Sequence, residues 1–149
     1  MKIAVTGANG FIGKHLWVSL REQERHEVFE VCRDTSKEVF LSYLSEADFI
    51  FHLAGVNRPK DTSEFQKGNV GLTKFMVEAL EKLGRNVPIA LSSSTQIDQA
   101  NPYGESKLAA EKAIEMYAGT TGSSYYIFRF PNVFGKWCKP NYNSFVATF

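Results

Sequence analysis

Cysteine and excess charge are scarce in this sequence, and each scarcity excludes a class of protein. The 149 residues include two cysteines, Cys32 and Cys138, which lie too far apart for a disulfide scaffold or a zinc site. We predict two isolated, reduced thiols and no metal site. Seventeen lysines and arginines balance sixteen acidic residues, and the formal charge of +1 provides no strong field for nucleic acid or an anionic membrane.

Long apolar runs are missing as well. The longest apolar stretch, near residues 49–56, is interrupted by His52 and is far shorter than a membrane span. The amino terminus reaches Thr6 and Gly7 before a signal region can form. We therefore expect a cytoplasmic protein with no membrane insertion and no nucleic-acid partner. Hydrophobic residues still make up 44% of the chain, enough for one domain with a substantial core.

Apolar segments of two kinds alternate along the chain, and their order predicts the fold class. Short runs typical of strands occur at residues 2–6, 27–31, 49–53, 87–91 and 125–130. Helical spacing of apolar residues occurs from Phe11 onward, after Ser36, across residues 63–83, and from Pro102 to a stop at Gly119. This alternation predicts the α/β class, with a Rossmann-like doubly wound parallel sheet of about five strands and helices on both faces.

Glycines at three-residue intervals separate the first predicted strand from the first helix. The segment contains Gly7, Asn9, Gly10, Phe11, Ile12 and Gly13. A tight turn needs positive φ, a diphosphate needs close approach of the backbone, and a helix N-terminus offers unpaired N–H groups to phosphate. We interpret these residues as a dinucleotide-binding turn rather than a purely structural one.

The residues after the second predicted strand bear on which dinucleotide is bound. Proteins that bind NAD usually place an acidic residue there to accept hydrogen bonds from the ribose. In this chain Cys32 takes that place, and Arg33 would accept a 2′-phosphate. NADPH or NADP is therefore the preferred cofactor, and Asp34 keeps NAD as the alternative.

A phenol and an ammonium lie four residues apart at the start of the last predicted helix. Tyr103 and Lys107 would share one helix face, just beyond the strand that ends in Ser92, Ser93 and Ser94. A neighbouring cation favours the phenolate and would bring the tyrosine pKa closer to neutral pH. A serine hydroxyl at the end of a strand can hydrogen-bond a substrate carbonyl. The arrangement predicts proton transfer by Tyr103.

Six motifs occur in a consistent order along the chain. They are residues 6–13 (TGANGFIG), 52–55 (HLAG), 69–70 (NV), 92–94 (SSS), 102–107 (PYGESK) and 129–135 (RFPNVFG). Together they resemble the extended short-chain dehydrogenase/reductases, also described as NAD-dependent epimerases and dehydratases. This resemblance implies a nicotinamide dinucleotide cofactor and a nucleotide-sugar substrate.

The resemblance also implies roles for single residues. Tyr103 would be the acid/base, Lys107 would tune it and bind the nicotinamide ribose, and Ser94 would hold the substrate oxygen. The neighbours Ser93 and Thr95 leave the serine assignment open. Cofactor contacts are also implied for the residues of the glycine turn, for Tyr103 and Lys107, and for Leu53, Ala54, Gly55 and Asn69.

Two further segments narrow the resemblance. Residues 55–59 (GVNRP) and 134–144 (FGKWCKPNYNS) are similar to a subgroup that reduces a UDP-4-keto-6-deoxy-amino-sugar with NADPH in capsular polysaccharide synthesis. Substrate contacts would then come from Arg58, Ser94, Asn132, Lys136 and Lys139. The alternatives are a nucleotide-sugar epimerase or dehydratase with tightly bound NAD, and a non-catalytic dinucleotide-binding module.

The chain departs from the family pattern in two places. Between the second and third predicted strands, where the family commonly has a further strand and an acidic adenine contact, residues 34–48 predict only one helix. An edge strand is therefore expected to be missing. The family continues into a sugar-binding portion, and the subgroup into a cupin domain. We therefore expect residues 1–149 to be a dinucleotide-binding domain truncated before those parts. The resemblance also implies a homodimer through the helices at 63–83 and 102–118, although packing of these helices on the sheet would equally account for their apolar faces.

Overall fold

The structure is a computed structural model, and it describes residues 1–138. The strands in this part of the chain are β1 (Lys2–Thr6), β2 (Glu27–Val31), β3 (Phe49–His52), β4 (Ile89–Ser94) and β5 (Tyr125–Phe130). The helices are α1 (Phe11–Glu22), α2 (Lys37–Glu46), α3 (Ser63–Phe65), α4 (Leu72–Lys82) and α5 (Pro102–Thr121). A π-helical turn (Gln66–Gly71) joins α3 to α4, and a 3-10 turn (Thr95–Asp98) follows β4.

The five strands form one parallel sheet in the order β2-β1-β3-β4-β5. From β1 the chain moves outward to β2, and from β3 it moves the other way, so the strand order reverses between β1 and β3. Ligands of open α/β sheets bind outside the carboxyl ends of the strands at such a reversal. The sheet confirms the predicted fold class, and β2 is its edge in the described part of the chain. The further strand that the family commonly has there is absent from residues 1–138, as expected.

Helices cover both faces of the sheet, which explains the near-continuous apolar sequences of the strands. On one face, α2, α4 and α5 bury Phe40, Leu80 and Ile114 against Ile50 and Leu91. On the other face, α1 packs through Leu16 and Leu20 onto β1. No helix within residues 1–138 is long and apolar enough to cross a membrane.

The fourth strand begins and ends later than the sequence predicts. It spans Ile89–Ser94 rather than residues 87–91, so the three serines lie within the strand instead of after it. Pairing with β5 is the physical reason, because Ser92 and Ser94 lie opposite Phe128 and Phe130. Such pairing depends on a distant segment and has no local signature.

Two helices also differ from their predicted form. The single helix expected over residues 63–83 is interrupted by the π-helical turn, Gln66–Gly71. In α5 the stop lies at Gly122, which has a left-handed φ of 74°, and Gly119 remains inside the helix. Glycine can adopt either conformation, so the predicted stop at Gly119 was wrong by three residues.

Candidate active site

The glycine turn wraps closely around the carboxyl end of β1. Gly7 has φ of 71°, and a Cβ atom there would lie 2.7 Å from the backbone nitrogen of Ala54. A Cβ atom on Gly13 would overlap the carbonyl oxygen of Gly7. Gly10 caps α1, and no side chain makes a capping hydrogen bond to the first N–H groups of the helix. This glycine-rich turn at a helix N-terminus fits the diphosphate of a dinucleotide.

The turn is tied to the end of β2, where the ribose-recognition residues were predicted. The N–H of Gly7 donates to the carbonyl of Val31 at 2.9 Å. The N–H of Cys32 donates to the Thr35 hydroxyl at 2.9 Å, and burial raises the pKa of the Cys32 thiol. Arg33 follows directly and is exposed, so its guanidinium is accessible beside the turn.

The N-terminal turn of α5 positions the predicted phenol and ammonium. The Asn101 side chain accepts a hydrogen bond from the N–H of Gly104 at 2.7 Å and so fixes where the helix begins. Tyr103 therefore lies in the first turn, and the Lys107 ammonium is 5.9 Å from the centre of its ring. The Ser94 side chain lies close enough to the phenol to lower the pKa of Tyr103. The structure thus brings Ser94, Tyr103 and Lys107 together.

The pKa of Tyr103 is shifted in the opposite direction to the prediction. Burial raises it above the ordinary value of 10, and the interaction with the Ser94 side chain lowers it by less. The Lys107 ammonium donates to the carbonyl of Ser92 at 3.1 Å and lies 5.9 Å from the ring centre, and its charge does not reverse the effect of burial. The phenol is consequently protonated at neutral pH, which suits a proton donor.

Lys107 is itself unusual because it is a buried lysine, only 6% exposed. Burial lowers its pKa to about 8, and the charge of Glu111 opposes that shift. The space for the ammonium depends on Gly55, where a Cβ atom would lie 2.9 Å from Nζ. Gly55 was predicted as a cofactor contact, and the structure adds that it makes room for Lys107.

The serine assignment, left open by the sequence, is narrowed by hydrogen bonds. The Ser93 hydroxyl donates to the buried carboxylate of Glu111 at 2.5 Å. Thr95 is exposed and lies beyond the strand. Ser94 is on the other face of β4 from Ser93 and interacts with the Tyr103 phenol, whose pKa it lowers. This arrangement supports Ser94 as the hydroxyl that would face a substrate.

Asn69, a predicted cofactor contact, has a structural role in the folded chain. It is buried in the π-helical turn, and its Oδ1 accepts from the N–H of Val56 at 2.7 Å. Its Nδ2 donates to the carbonyl of Val56 at 3.1 Å and to the Ser106 hydroxyl at 2.9 Å. Both ends of the amide are therefore used by the protein. Asn69 positions the loop after β3 against α5.

A chain of neutral hydrogen bonds, which we name the His52 network, joins Thr6, His52, Thr73 and Asn69. Thr73 donates its only hydroxyl proton to the carbonyl of Asn69 at 2.6 Å, so it must accept from His52 Nε2, at 2.8 Å. Nδ1 of His52 then accepts from the Thr6 hydroxyl at 2.7 Å. That hydroxyl accepts from the N–H of Ala54 at 3.1 Å.

Burial of the His52 network keeps the histidine neutral. Its pKa is lowered to about 3, chiefly by burial and secondarily by the positive charge of Lys107. Because Thr6 also accepts from Leu53 through its carbonyl at 3.2 Å, the network fixes both residues of the loop that approaches the glycine turn. Leu53 and Ala54, predicted as cofactor contacts, are thus held beside that turn.

The residues predicted to contact the substrate are less closely grouped than Ser94, Tyr103 and Lys107. Arg58 and Asn132 are exposed, and Lys139 lies outside the described residues. The carbonyl of Lys136 accepts from His15 Nε2 at 2.7 Å, so the segment after β5 folds back onto α1. The neighbouring Trp137 ring lies 4.8 Å from the His15 ring. Lys136 is therefore brought to the glycine-turn side of the cleft.

Sequence reasoning missed Thr6, Thr73 and Glu111 as site residues. A signal for Glu111 existed, since it lies four residues after Lys107 and so on the same face of the helix. The two threonines are far apart in sequence, and no local spacing connects them. Only the parallel pairing of β1 with β3 brings Thr6 beside His52.

Comparisons with known proteins place this geometry among relatives. Over its whole length the chain is 48% identical to the UDP-2-acetamido-2,6-beta-L-arabino-hexul-4-ose reductase of Pseudomonas aeruginosa and spans 40% of that protein. It is 51% identical in structural alignment to the capsular polysaccharide assembling protein CapF from Staphylococcus aureus, with a TM-score of 0.86 over 99% of this chain and 40% of that one.

A more distant likeness is to MoeE5, whose structure contains UDP-glucose and NAD. The TM-score is 0.81 at 25% identity, over 99% of this chain and 59% of that one. The chain therefore spans less than two thirds of each of these relatives. The NAD dependent epimerase/dehydratase family matches residues 3–149, nearly the entire chain. This chain belongs to the NAD dependent epimerase/dehydratase family.

Proposed function

We propose that this chain binds NADPH and takes part in reducing the C4 ketone of a UDP-linked 6-deoxy-amino-sugar for capsular polysaccharide synthesis. The observation that carries the proposal is the convergence of Ser94, Tyr103 and Lys107 beside the glycine turn. A hydroxyl, a protonated phenol and a buried ammonium are what reduction of a ketone requires from a protein. The cofactor would supply the hydride.

Each of the three residues has a distinct part in this mechanism. The Ser94 hydroxyl would hold the ketone oxygen, and the Tyr103 phenol would donate its proton to that oxygen as negative charge develops. Lys107 would bind the nicotinamide ribose and stabilise the phenolate that remains. The raised pKa of Tyr103 supports this direction of proton transfer, because the phenol enters the reaction protonated.

The preference for NADPH rests on the end of β2. Arg33 is exposed two residues beyond Val31, whose carbonyl holds Gly7 of the glycine turn. A guanidinium there can pair with a 2′-phosphate, and the position before it is a cysteine rather than an acid. NAD remains the alternative through Asp34, and replacement of Arg33 by Ala should weaken NADPH more than NADH.

The substrate class follows from the relatives. The reductase of Pseudomonas aeruginosa is named for a UDP-linked hexulose, and the staphylococcal protein is described as capsular polysaccharide assembling. On this basis we propose that Arg58, Asn132, Lys136 and Lys139 contact the UDP diphosphate. We also propose that residues 1–149 act as the cofactor-binding part, and that the protein is a homodimer, testable by light scattering.

The test is consumption of NADPH in the presence of a UDP-4-keto-6-deoxy-amino-sugar, followed by absorbance of the reduced nicotinamide. Tyr103→Phe should reduce turnover by about 10²–10⁴-fold with cofactor affinity nearly unchanged. Tyr125→Phe removes an exposed hydroxyl on β5 and is the matched control, expected to retain activity. Ketone reduction that is equally fast in Y103F would contradict the mechanism.

A second candidate is an epimerase or dehydratase that retains NAD, favoured by the MoeE5 structure, which contains NAD and a UDP-sugar. The two enzymes differ in whether the reduced cofactor is consumed. Redox-neutral turnover with NAD retained on the protein would favour the second candidate. Tight binding of NADPH without turnover of either kind would instead indicate a non-catalytic dinucleotide-binding module.

A further inference from the structure

Glu111 is a buried acid that the proposed mechanism does not use. It is 1% exposed and lies on α5, one helical turn after Lys107. Its carboxylate accepts from the Ser93 hydroxyl at 2.5 Å and from Arg129 through two bonds, Nε at 3.1 Å and a terminal nitrogen at 2.8 Å. We name Ser93, Glu111, Arg129 and Lys107 the Glu111 network.

The geometry of this network is asymmetric. The Arg129 side chain is 50% exposed, so water screens its charge, whereas the Glu111 side chain is 2% exposed. Lys107 is buried as well, so the attraction between its ammonium and the carboxylate is poorly screened. The carboxylate therefore acts on Lys107 more strongly than the arginine does.

We propose that Glu111 is a positioning residue for the reaction: its buried carboxylate, one helical turn from Lys107, supplies the counter-charge for the Lys107 ammonium. The proposal rests on the proposed function for its catalytic meaning. The effect on Lys107 is a property of the folded chain, which can be measured without substrate.

The other groups that face Lys107 do not replace this charge. From β3, His52 is neutral, since its pKa is near 3. From β4, only the uncharged carbonyl of Ser92 accepts from the ammonium, and on α5 itself Tyr103 is protonated. The π-helical turn contributes the neutral amide of Asn69.

The charged groups on the remaining elements are Arg129 and the acidic residues near it. Arg129 on β5 is positive and half exposed, so its repulsion of the Lys107 ammonium is weakened by water. Asp98 of the 3-10 turn and Glu115 of α5 act on Arg129. Among the described residues with a resolved effect, Glu111 is the acidic group that favours the charged form of Lys107.

The test is an NMR titration of lysine side chains labelled with ¹³C at Cε, in which the Lys107 signal is assigned from its loss in Lys107→Arg. In Glu111→Gln the midpoint of the Lys107 titration should fall by about one pH unit. In Ser93→Ala, which removes a hydrogen bond and keeps the charge, it should stay unchanged. A merely structural role would affect both variants alike.

Arg129→Gln provides a test of opposite sign that does not require E111Q to fold. Removing the positive charge should raise the midpoint by about half a unit. NADPH affinity measured over the same pH range should follow the midpoint in each variant. An unchanged midpoint in folded E111Q, or a midpoint that fails to rise in R129Q, would overturn the proposal.

The two proposals can fail separately. If the expected shifts occur but no variant or wild-type protein binds NADPH, the proposed function fails and the effect of Glu111 on Lys107 stands. If wild-type protein binds NADPH but the midpoint of the Lys107 titration is the same in wild type and in E111Q, the further inference fails and the proposed function stands.

Discussion

The His52 network and the Glu111 network lie side by side at the carboxyl ends of the strands and bury polar groups in opposite ways. In the first, every hydrogen bond is neutral and has one direction, from the N–H of Ala54 to the carbonyl of Asn69. In the second, a carboxylate, a guanidinium and an ammonium are combined, and two of the three are buried.

The difference teaches how support and chemistry are divided in this site. A neutral, fully satisfied chain costs little to bury and cannot change charge near neutral pH, so it holds the loop after β3 rigidly. A charged network is expensive to bury, but it can keep a lysine close to its titration point.

Truncation of Glu111 should give the largest loss of stability. Glu111→Ala leaves Arg129 and the Ser93 hydroxyl without their partner and a buried ammonium without its counter-charge. We expect the free energy of unfolding to fall by about 3–5 kcal/mol, measured by urea denaturation. Ser93→Ala, the control, should cost about 1 kcal/mol. Equal losses in the two variants would show that the charge is not what matters.

Interruption of the His52 network should cause a smaller loss of stability. Thr73→Val has nearly the same shape but removes the acceptor for His52 Nε2 and the donor to Asn69. The free energy of unfolding should fall by about 1–3 kcal/mol, the cost of an unpaired buried donor. The Lys107 titration should stay in place, because no charge changes. A shift of the Lys107 titration midpoint in T73V would show that the two networks are coupled and would contradict their separation.

Lys107 should destabilise the folded chain at neutral pH. Its folded pKa, about 8, is below the ordinary 10.5, so the folded state binds fewer protons than the unfolded state between those values. Stability from this group therefore rises with pH through that window and is lowest below pH 8. Lys107→Met should raise the free energy of unfolding at pH 7 by about 2 kcal/mol. That gain should disappear above pH 10.5, while NADPH binding is weakened at every pH.

His52 should make the fold sensitive to mild acid. Its folded pKa of about 3 lies below the ordinary 6.5, so the unfolded chain takes up a proton first as the pH falls. Between pH 6.5 and 5 the free energy of unfolding should drop by about 1.5 kcal/mol from this group. His52→Gln, which stays neutral, should be less stable at pH 7 and show a flatter dependence. Parallel pH profiles of H52Q and wild type would contradict a neutral His52.

The sequence predicted those features that depend on residues close together along the chain. The alternation of strand and helix patterns, the glycine turn and the four-residue spacing of Tyr103 and Lys107 all have local signatures. The roles of Ser94, Tyr103 and Lys107 stay predictions, although the structure brings the three side chains together. Local spacing also predicted the wrong end for α5, because Gly119 and Gly122 are equally able to end a helix.

By itself, the sequence determined the α/β class, the order of the elements and the position of the glycine turn, because periodicity and glycine spacing act within a few residues. Only the tertiary structure decided the strand order, the raised pKa of Tyr103, the use of the Asn69 amide by Val56 and the meeting of Glu111 with Arg129. Burial and hydrogen-bond partners depend on segments distant in sequence, and parallel strands bring such segments together.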